Sequence, residues 1–304
     1  MEDITYIDRA TKQVKKEKVY GHFFLKLLYG DSFASRLFSA AVLPCVAHLP
    51  FLSRVYGFLQ KTRLSRCKVR PFIKAFGVDT SEFLDSVESY RSFNDFFTRK
   101  LKTCARAIAA GDDVAILPAD GRYLVYQNID QCDGFLVKGK KFSLERLLAD
   151  RDLAASYQGG SMVIARLCPT DYHRFHFPCE CLPGIPKNIP GPLFSVNPIA
   201  LKRNIDFLSE NKRVATRLET TLFGPVLFIE VGATNVGTIH QTFTPGYPAC
   251  KGDEKGYFSF GGSCIILLFK PNAIIFDTDL VEASQQKIET LGLFGQSLGI
   301  ASRE

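Results

Sequence analysis

Residues 251–269 read KGDEKGYFSFGGSCIILLF, and their grammar decides the fold of the C-terminal two thirds of the chain. An aromatic run leads into Gly261-Gly262-Ser263, and an unbroken apolar run, Cys264 to Phe269, follows. Short apolar runs bounded by turn residues are strand signals, so the segment reads as two strands joined at a Gly-Gly-Ser turn. A hairpin turn is the ordinary outcome of such a sequence. Its chemical interest is that Gly262 has no side chain to shield its carbonyl from the Ser263 hydroxyl.

The same texture extends back to about Gly111. Val114–Leu117, Tyr123–Tyr126, Met162–Ala165, Val226–Ile229 and Ala273–Phe276 are short apolar runs among Gly, Pro and Asn, and read as strands. Phe142–Asp150 reads as a short helix. Before Gly111 the period changes. Gly21–Gly30, Ser32–Val42 and Leu52–Lys61 cluster apolar residues at spacings of three and four, as helices do. Thr80-Ser81 ahead of Glu82-Phe83-Leu84 reads as a helix start, and Ser92–Leu101 as another short helix, with Ser92 three residues before Asp95. The expected fold class is α+β: a helical, basic region over residues 1–110, then a mainly antiparallel, β-rich catalytic core over 111–304.

The 304 residues are 46% hydrophobic and 23% charged, which excludes a disordered, collagen-like or coiled-coil chain. Nine cysteines, an odd number with no CxxC pair, argue against a disulfide scaffold and for reduced thiols in a cytosolic compartment. Met1–Lys18 has no apolar core of a secretory signal. Leu37–Leu59 is broken by Pro44, His48, Pro50 and Arg54, so it is too interrupted to span a bilayer but not too polar to lie on one. The net charge of +7 is uneven: residues 1–110 hold 19 Lys and Arg against 10 Asp and Glu, the remainder 19 against 21. Ser32–Val78 holds eight bases and no acid, interleaved with Phe and Leu. That mixture suits an anionic membrane surface, where apolar side chains enter the acyl boundary and cations meet headgroups. A solvated basic face is the plainer alternative. No nucleic-acid module is present, so nucleic acid is not an expected partner.

Besides 251–269, three segments could carry chemistry. Pro118-Ala119-Asp120-Gly121 places an acid on a tight turn after a strand, though Asp-Gly is usually only a turn. Cys168–Cys181, CPTDYHRFHFPCEC, holds two of the five histidines, His173 and His176. In a straight strand they point to opposite faces; in one helical turn they share a face. With Cys179 and Cys181 they also spell a candidate zinc set, although the spacing matches no common zinc pattern and Pro178 restricts the backbone between the pairs. Glu230–Gly237, EVGATNVG, suggests close backbone approach after a strand but is not GxGxxG.

Taken in order, Phe93–Lys102 (FNDFFTRKLK), Pro118–Gly121, Asp171–Cys179 (DYHRFHFPC), Val231–Gly237 (VGATNVG) and Lys251–Ser263 resemble the phosphatidylserine decarboxylases, a pyruvoyl-dependent family made as self-cleaving proenzymes. The match covers most of the chain. Departures are Gly262-Ser263-Cys264 where the family commonly has Gly-Ser-Thr, Arg106-Ala107-Ile108 where Arg-Pro-Ile is frequent, and Gln296 where an acid is frequent. Cys264 puts a second nucleophile beside the scissile bond.

The resemblance implies that Ser263 attacks the Gly262 carbonyl with His176 as base and Asp120 orienting it, a serine–histidine–aspartate arrangement. The covalent cofactor is then a pyruvoyl group derived from Ser263. It would form a Schiff base with phosphatidylserine and act as the electron sink for loss of CO₂, giving phosphatidylethanolamine. His173 is the candidate proton donor. The implied products of cleavage are a β-chain, 1–262, and an α-chain, 263–304, held as a heterodimer on the cytoplasmic side of the cell membrane as a peripheral protein, with a homo-oligomer left open. No metal is expected. The rival readings are a catalytically silent lipid-surface protein, a zinc protein using His173, His176, Cys179 and Cys181, and a hydrolase using Ser263 directly.

Overall fold

Strand Ser263–Phe269 lies in the middle of a ten-stranded sheet, and both of its faces are buried. That double burial is why its sequence is an unbroken apolar run rather than an alternating one. The structure, a computed structural model, describes residues 4–21, 27–29, 50–131, 142–202, 204–233, 238–261 and 263–302, with the side chains of 50–54 and 131 outside that description.

Among the described residues the strands are β1 (Thr5–Asp8), β2 (Val14–Lys16), β3 (Val114–Ile116), β4 (Gly121–Tyr126), β5 (Ser161–Leu167), β6 (Arg174–His176), β7 (Leu182–Pro183) and β8 (Lys187–Ile189). They continue with β9 (Arg213–Glu219), β10 (Pro225–Gly232), β11 (Ile239–Gln241), β12 (Glu254–Phe258), β13 (Ser263–Phe269), β14 (Ile274–Phe276), β15 (Glu289–Gly292) and β16 (Ser297–Ala301). The large sheet runs β2-β1-β15-β4-β5-β13-β10-β9-β7, with β8 also on β9. Its only parallel pair among the described residues is β1 with β15. Two antiparallel three-stranded sheets, β11-β12-β6 and β14-β16-β3, complete an α+β fold.

Side chains of β13 alternate between two cores. Cys264, Ile266 and Leu268 pack with Leu124, Ile164 and Val231. Ile265, Leu267 and Phe269 pack with Phe175, Phe177 and Phe258. A third core joins the helical part to this sheet: Val69, Phe72, Phe83, Phe93, Phe96 and Phe97 close around Phe260. Helices α1 (Pro50–Lys61), α2 (Val69–Phe76) and α3 (Phe93–Phe97) surround that aromatic cluster. Gly77, at φ 63°, ends α2 in the left-handed conformation that glycine adopts at no steric cost.

The helix expected at Leu52–Lys61 is α1. The Ser92 cap forms as expected, its hydroxyl accepting from the Asp95 N–H at 3.1 Å, but α3 stops at Phe97. No helix starts at Thr80-Ser81. Instead Phe83 makes a β-bridge with Leu101 and buries its ring in the aromatic cluster. Tertiary burial of Phe83 overrides a local capping signal there. The chain also opens with two strands rather than a helix. Arg9 ties β1 to Asp277 and Asp279 at 2.7 and 2.9 Å. Glu17, just after β2, reaches Arg166 at 2.6 Å. Ser32–Val42 and most of Gly21–Gly30 lie outside the described residues.

Candidate active site

Three strand ends meet at Ser263. The last residue of β5, Leu167, and the last of β10, Gly232, are its two register partners. The segment leaving β5 therefore starts beside it. After β5, Asp171 closes a tight turn, its carboxylate accepting the Cys168 N–H at 2.7 Å and pairing with Arg122. That turn delivers His173 and then β6. After β3, the Pro118–Asp120 turn is pinned by Tyr123, whose hydroxyl donates to the Ala119 carbonyl at 2.5 Å. The two turns are stitched together by the His176 N–H donating to the Pro118 carbonyl at 2.8 Å.

Arg174–His176 is a strand, so the two histidines point to different neighbours. His176 lies flat on Phe294, ring centroids 3.6 Å apart at 12°. Its Nδ1 donates to the Gly252 carbonyl at 2.9 Å, which fixes the proton on Nδ1 and leaves Nε2 as the basic atom. His173 packs on Phe97 at 3.9 Å, and its Nδ1 donates to the Asp171 carbonyl at 2.9 Å. Both Nε2 atoms and the Ser263 hydroxyl are buried without a hydrogen-bond partner. Burial pushes the His176 pKa down to about 4 and that of His173 to about 3, so both rings are neutral near pH 7. The Gly261 carbonyl is among the groups that oppose this on His173, which places that ring beside the segment entering Ser263.

Asp120 is buried and makes no hydrogen bond to His176. Its carboxylate takes Arg106 at 3.0 and 2.6 Å, and accepts the Phe294 N–H at 2.9 Å. Arg106 is held in turn by Glu82 at 2.8 Å. Asp120 and His176 thus meet through Phe294, whose backbone binds one and whose ring covers the other. The imidazole tautomer is set by Gly252 rather than by Asp120, while the Asp120 charge still favours an imidazolium at His176. Arg106 carries over despite Ala107 replacing proline. Gln296 fills its turn by accepting the Leu293 N–H through its side-chain oxygen, a role open to an acid as well. Nothing in the sequence marked Phe294, which acts on the site from far along the chain, and Gly252 lay within the Lys251–Ser263 motif without a role of its own.

Cys264 does not share the serine's face. It points into the core with Leu124 and Val231, and burial pushes its thiol well above the usual range, so it is a poor nucleophile there. Cys179 and Cys181 are buried too, and burial raises both thiols, Cys181 to about 12. Among the described residues no three His, Cys, Asp or Glu side chains converge to hold a metal ion. Gly262 and Thr234–Gly237 lie outside the described residues.

Known proteins match over the same ground. Residues 93–298 match the family model described as phosphatidylserine decarboxylase. A Chlamydia pneumoniae protein named phosphatidylserine decarboxylase proenzyme is 49% identical over 304 residues, all of this chain and 99% of that protein. A Chlamydia caviae protein of the same name is 49% identical over the full length of both. A third, from Chlamydia trachomatis, is 45% identical over 297 residues, 98% of this chain and 97% of that one. With five ordered motifs and a shared length, the chain belongs to the phosphatidylserine decarboxylase family of enzymes.

Proposed function

We propose that this chain decarboxylates phosphatidylserine to phosphatidylethanolamine after cutting itself between Gly262 and Ser263. The observation that carries the reading is the Ser263 hydroxyl: fully buried and without a partner where three strand ends meet, in a fold that also leaves the Nε2 atoms of His173 and His176 buried and unpartnered. Buried polar atoms are rarely left unpaired, and three on the residues of one proposed reaction favour a site organised for something other than stability.

In the uncut chain, His176 takes the Ser263 proton on Nε2 while Oγ adds to the Gly262 carbonyl. The Gly262–Ser263 peptide nitrogen leaves as the amine, giving an ester. The nearby Asp120 charge favours the imidazolium that this creates. β-Elimination then frees the Gly262 carboxylate, and hydrolysis of the dehydroalanyl end releases ammonia. The pyruvoyl group so formed supplies an electrophilic carbonyl that binds the substrate amine and accepts the electron pair left by CO₂. The orphaned Ser263 site fits that group, since a carbonyl there needs no proton of its own satisfied. His173 is the proton donor in this scheme. Its Nε2 must first gain a proton, which burial opposes and an anionic headgroup beside it would favour.

A second assignment has its own support: the Gly261 carbonyl acts on the His173 ring, so His173 could serve as the cleavage base. Denaturing electrophoresis and intact mass decide between them. Wild type should give a 42-residue small chain lighter by one ammonia than a peptide beginning with Ser263. His176→Ala should stay whole and His173→Ala should split. The opposite pattern exchanges the two roles.

The membrane is proposed as the docking partner. No helix among the described residues is long and apolar enough to cross it. On α1 and the turn after it, Val55, Phe58, Leu59 and Leu64 are exposed, Phe58 at 68% and Leu64 at 86%, alongside exposed Lys61, Arg63, Arg66 and Lys68. The inner side of α1 lays Tyr56 on Phe260, ring centroids 6.0 Å apart. One helix thus links a basic, apolar surface to the segment that leads into Ser263, which favours delivery of a headgroup from an anionic bilayer. Leu49, and the side chains of Phe51 and Leu52, lie outside the described residues.

A further inference from the structure

Arg99 is a buried cation that the fold surrounds without neutralising. It is 5% exposed, two residues beyond α3. One Nη2 donates to the carbonyls of Thr170 and Asp171 at 3.1 and 3.2 Å, while Nε and Nη1 have no partner. Three N–H bonds are therefore left without an acceptor. The rings of Phe83 and Phe96 each sit 5.0 Å from its guanidinium carbon and hold it in place. The other buried arginines around the site are matched: Arg106 by Glu82 and Asp120, Arg122 by Asp171, Arg166 by Glu17 and Glu289. Arg99 makes no such pair among the described residues.

Its position is as telling as its deficit. Arg99 lines a cleft of about 200 Å³ together with Arg106, Asp120, Asp171 and Tyr172. It also donates to the same Asp171 carbonyl that receives His173 Nδ1, so the guanidinium and the proposed proton donor are anchored on one oxygen.

We propose that Arg99 recognises the substrate's phosphodiester, its unpaired N–H groups taking the non-bridging oxygens. This rests on the decarboxylase reading above. The headgroup of phosphatidylserine offers two anions, and the chemistry separates them. The carboxylate loses its charge as CO₂ departs, so a cation on it would hold the ground state more tightly than the transition state. The phosphodiester keeps its charge throughout, so a cation there binds without opposing the reaction. A phosphodiester near His173 would also favour protonation of its Nε2.

The test uses the full chain with Arg99→Gln and Arg99→Lys. Both should cut themselves as wild type does. With dispersed short-chain phosphatidylserine, Arg99→Gln should raise KM roughly ten- to a hundredfold, as for loss of a charge-assisted hydrogen bond, with a smaller change in kcat. Arg99→Lys should recover part of the loss. Binding of glycerophosphoethanolamine, which has the phosphodiester and no carboxylate, should weaken by the same factor in calorimetry, and that of free serine should not change. An unchanged KM, weakened serine binding with glycerophosphoethanolamine unaffected, or failure of both folded variants to self-cleave would each overturn the proposal. The calorimetric arm needs no turnover, so it decides the role of Arg99 even if wild type releases no CO₂, an outcome that would sink the decarboxylase reading instead.

Discussion

At the scale of single residues, the site is a set of atoms kept short of partners, and each shortage has a measurable effect. Ser263→Ala should leave a full-length chain on denaturing gels, and a split at the same bond would show that another group attacks. Asp120→Asn should slow cleavage without unfolding the chain, because the amide can still accept the Phe294 N–H while losing the charge that favours a protonated His176. Arg106→Ala is expected to do more. It strands Asp120, a buried carboxylate, and removing one partner of a buried pair typically costs about 3–5 kcal/mol. A fall in the urea midpoint no larger than that of a surface arginine would contradict this. Cleavage should also tolerate acid better than an ordinary histidine would allow. With its pKa pushed to about 4, His176 remains a free base well below 6.5, so the processing rate should hold to about pH 5 and fall below it. A half-maximal rate near 6.5 would mean that the cleaving base is not this buried ring.

At the scale of elements, the sequence was legible where a segment's neighbours left its pattern alone. β13, β10 and β5 are mostly apolar because both faces are covered, with Glu230 and Arg166 the charged exceptions, and those runs were found from length and bounding turns. The five motifs also contain Asp120, His173, His176 and Ser263, and of these the structure joins Asp120 and His176 through Phe294. What stayed hidden was pairing at long range. β1 and β15 are joined across the whole chain, and neither carries a strand signal of its own strong enough to stand out. Thr80–Leu84 imitated a helix start because a cap motif is local while the burial of Phe83 is not. Helix α1 was visible from its period, but which of its faces is exposed was not. That face yields a prediction: replacing Val55, Phe58 and Leu59 with Ser should weaken flotation with anionic vesicles at high salt, where only inserted apolar groups still hold. Each such side chain is worth about 1.5–3 kcal/mol when fully buried. Equal flotation of variant and wild type at all salt concentrations would assign docking to another surface. Close packing gives an independent check. A Cβ at Gly256 on β12 would lie 2.1 Å from the His240 carbonyl and 2.8 Å from Phe175, so Gly256→Ala should lower stability sharply, by about 1–3 kcal/mol or more.

Across the whole molecule, two buried neutral histidines make stability depend on pH. Below 6.5 an unfolded chain protonates them, while the folded chain resists until about 4 for His176 and about 3 for His173. Their contribution is complete above 6.5 and is lost progressively as the pH falls to those values, about 2 kcal/mol from each by pH 5. Denaturant midpoints of the uncut Ser263→Ala chain at pH 7.5 and pH 5 measure it, and replacing both histidines should flatten the difference. The position of β13 has a further consequence. The proposed cut falls at the first residue of a central strand, bonded on one side to β5 and on the other to β10. The 42-residue fragment it would create carries a middle rung of the sheet, and the 278–285 helix in that fragment is clasped by Arg9 of the remainder. A single polypeptide folds this architecture once, as a unimolecular event. After the proposed cut the same architecture would consist of two interleaved chains that must find each other to re-form, so recovery from denaturant would become concentration-dependent and compete with aggregation. Maturation by such a cut would work as a ratchet: the finished enzyme would persist only for as long as it stays folded, because it could not readily be assembled a second time.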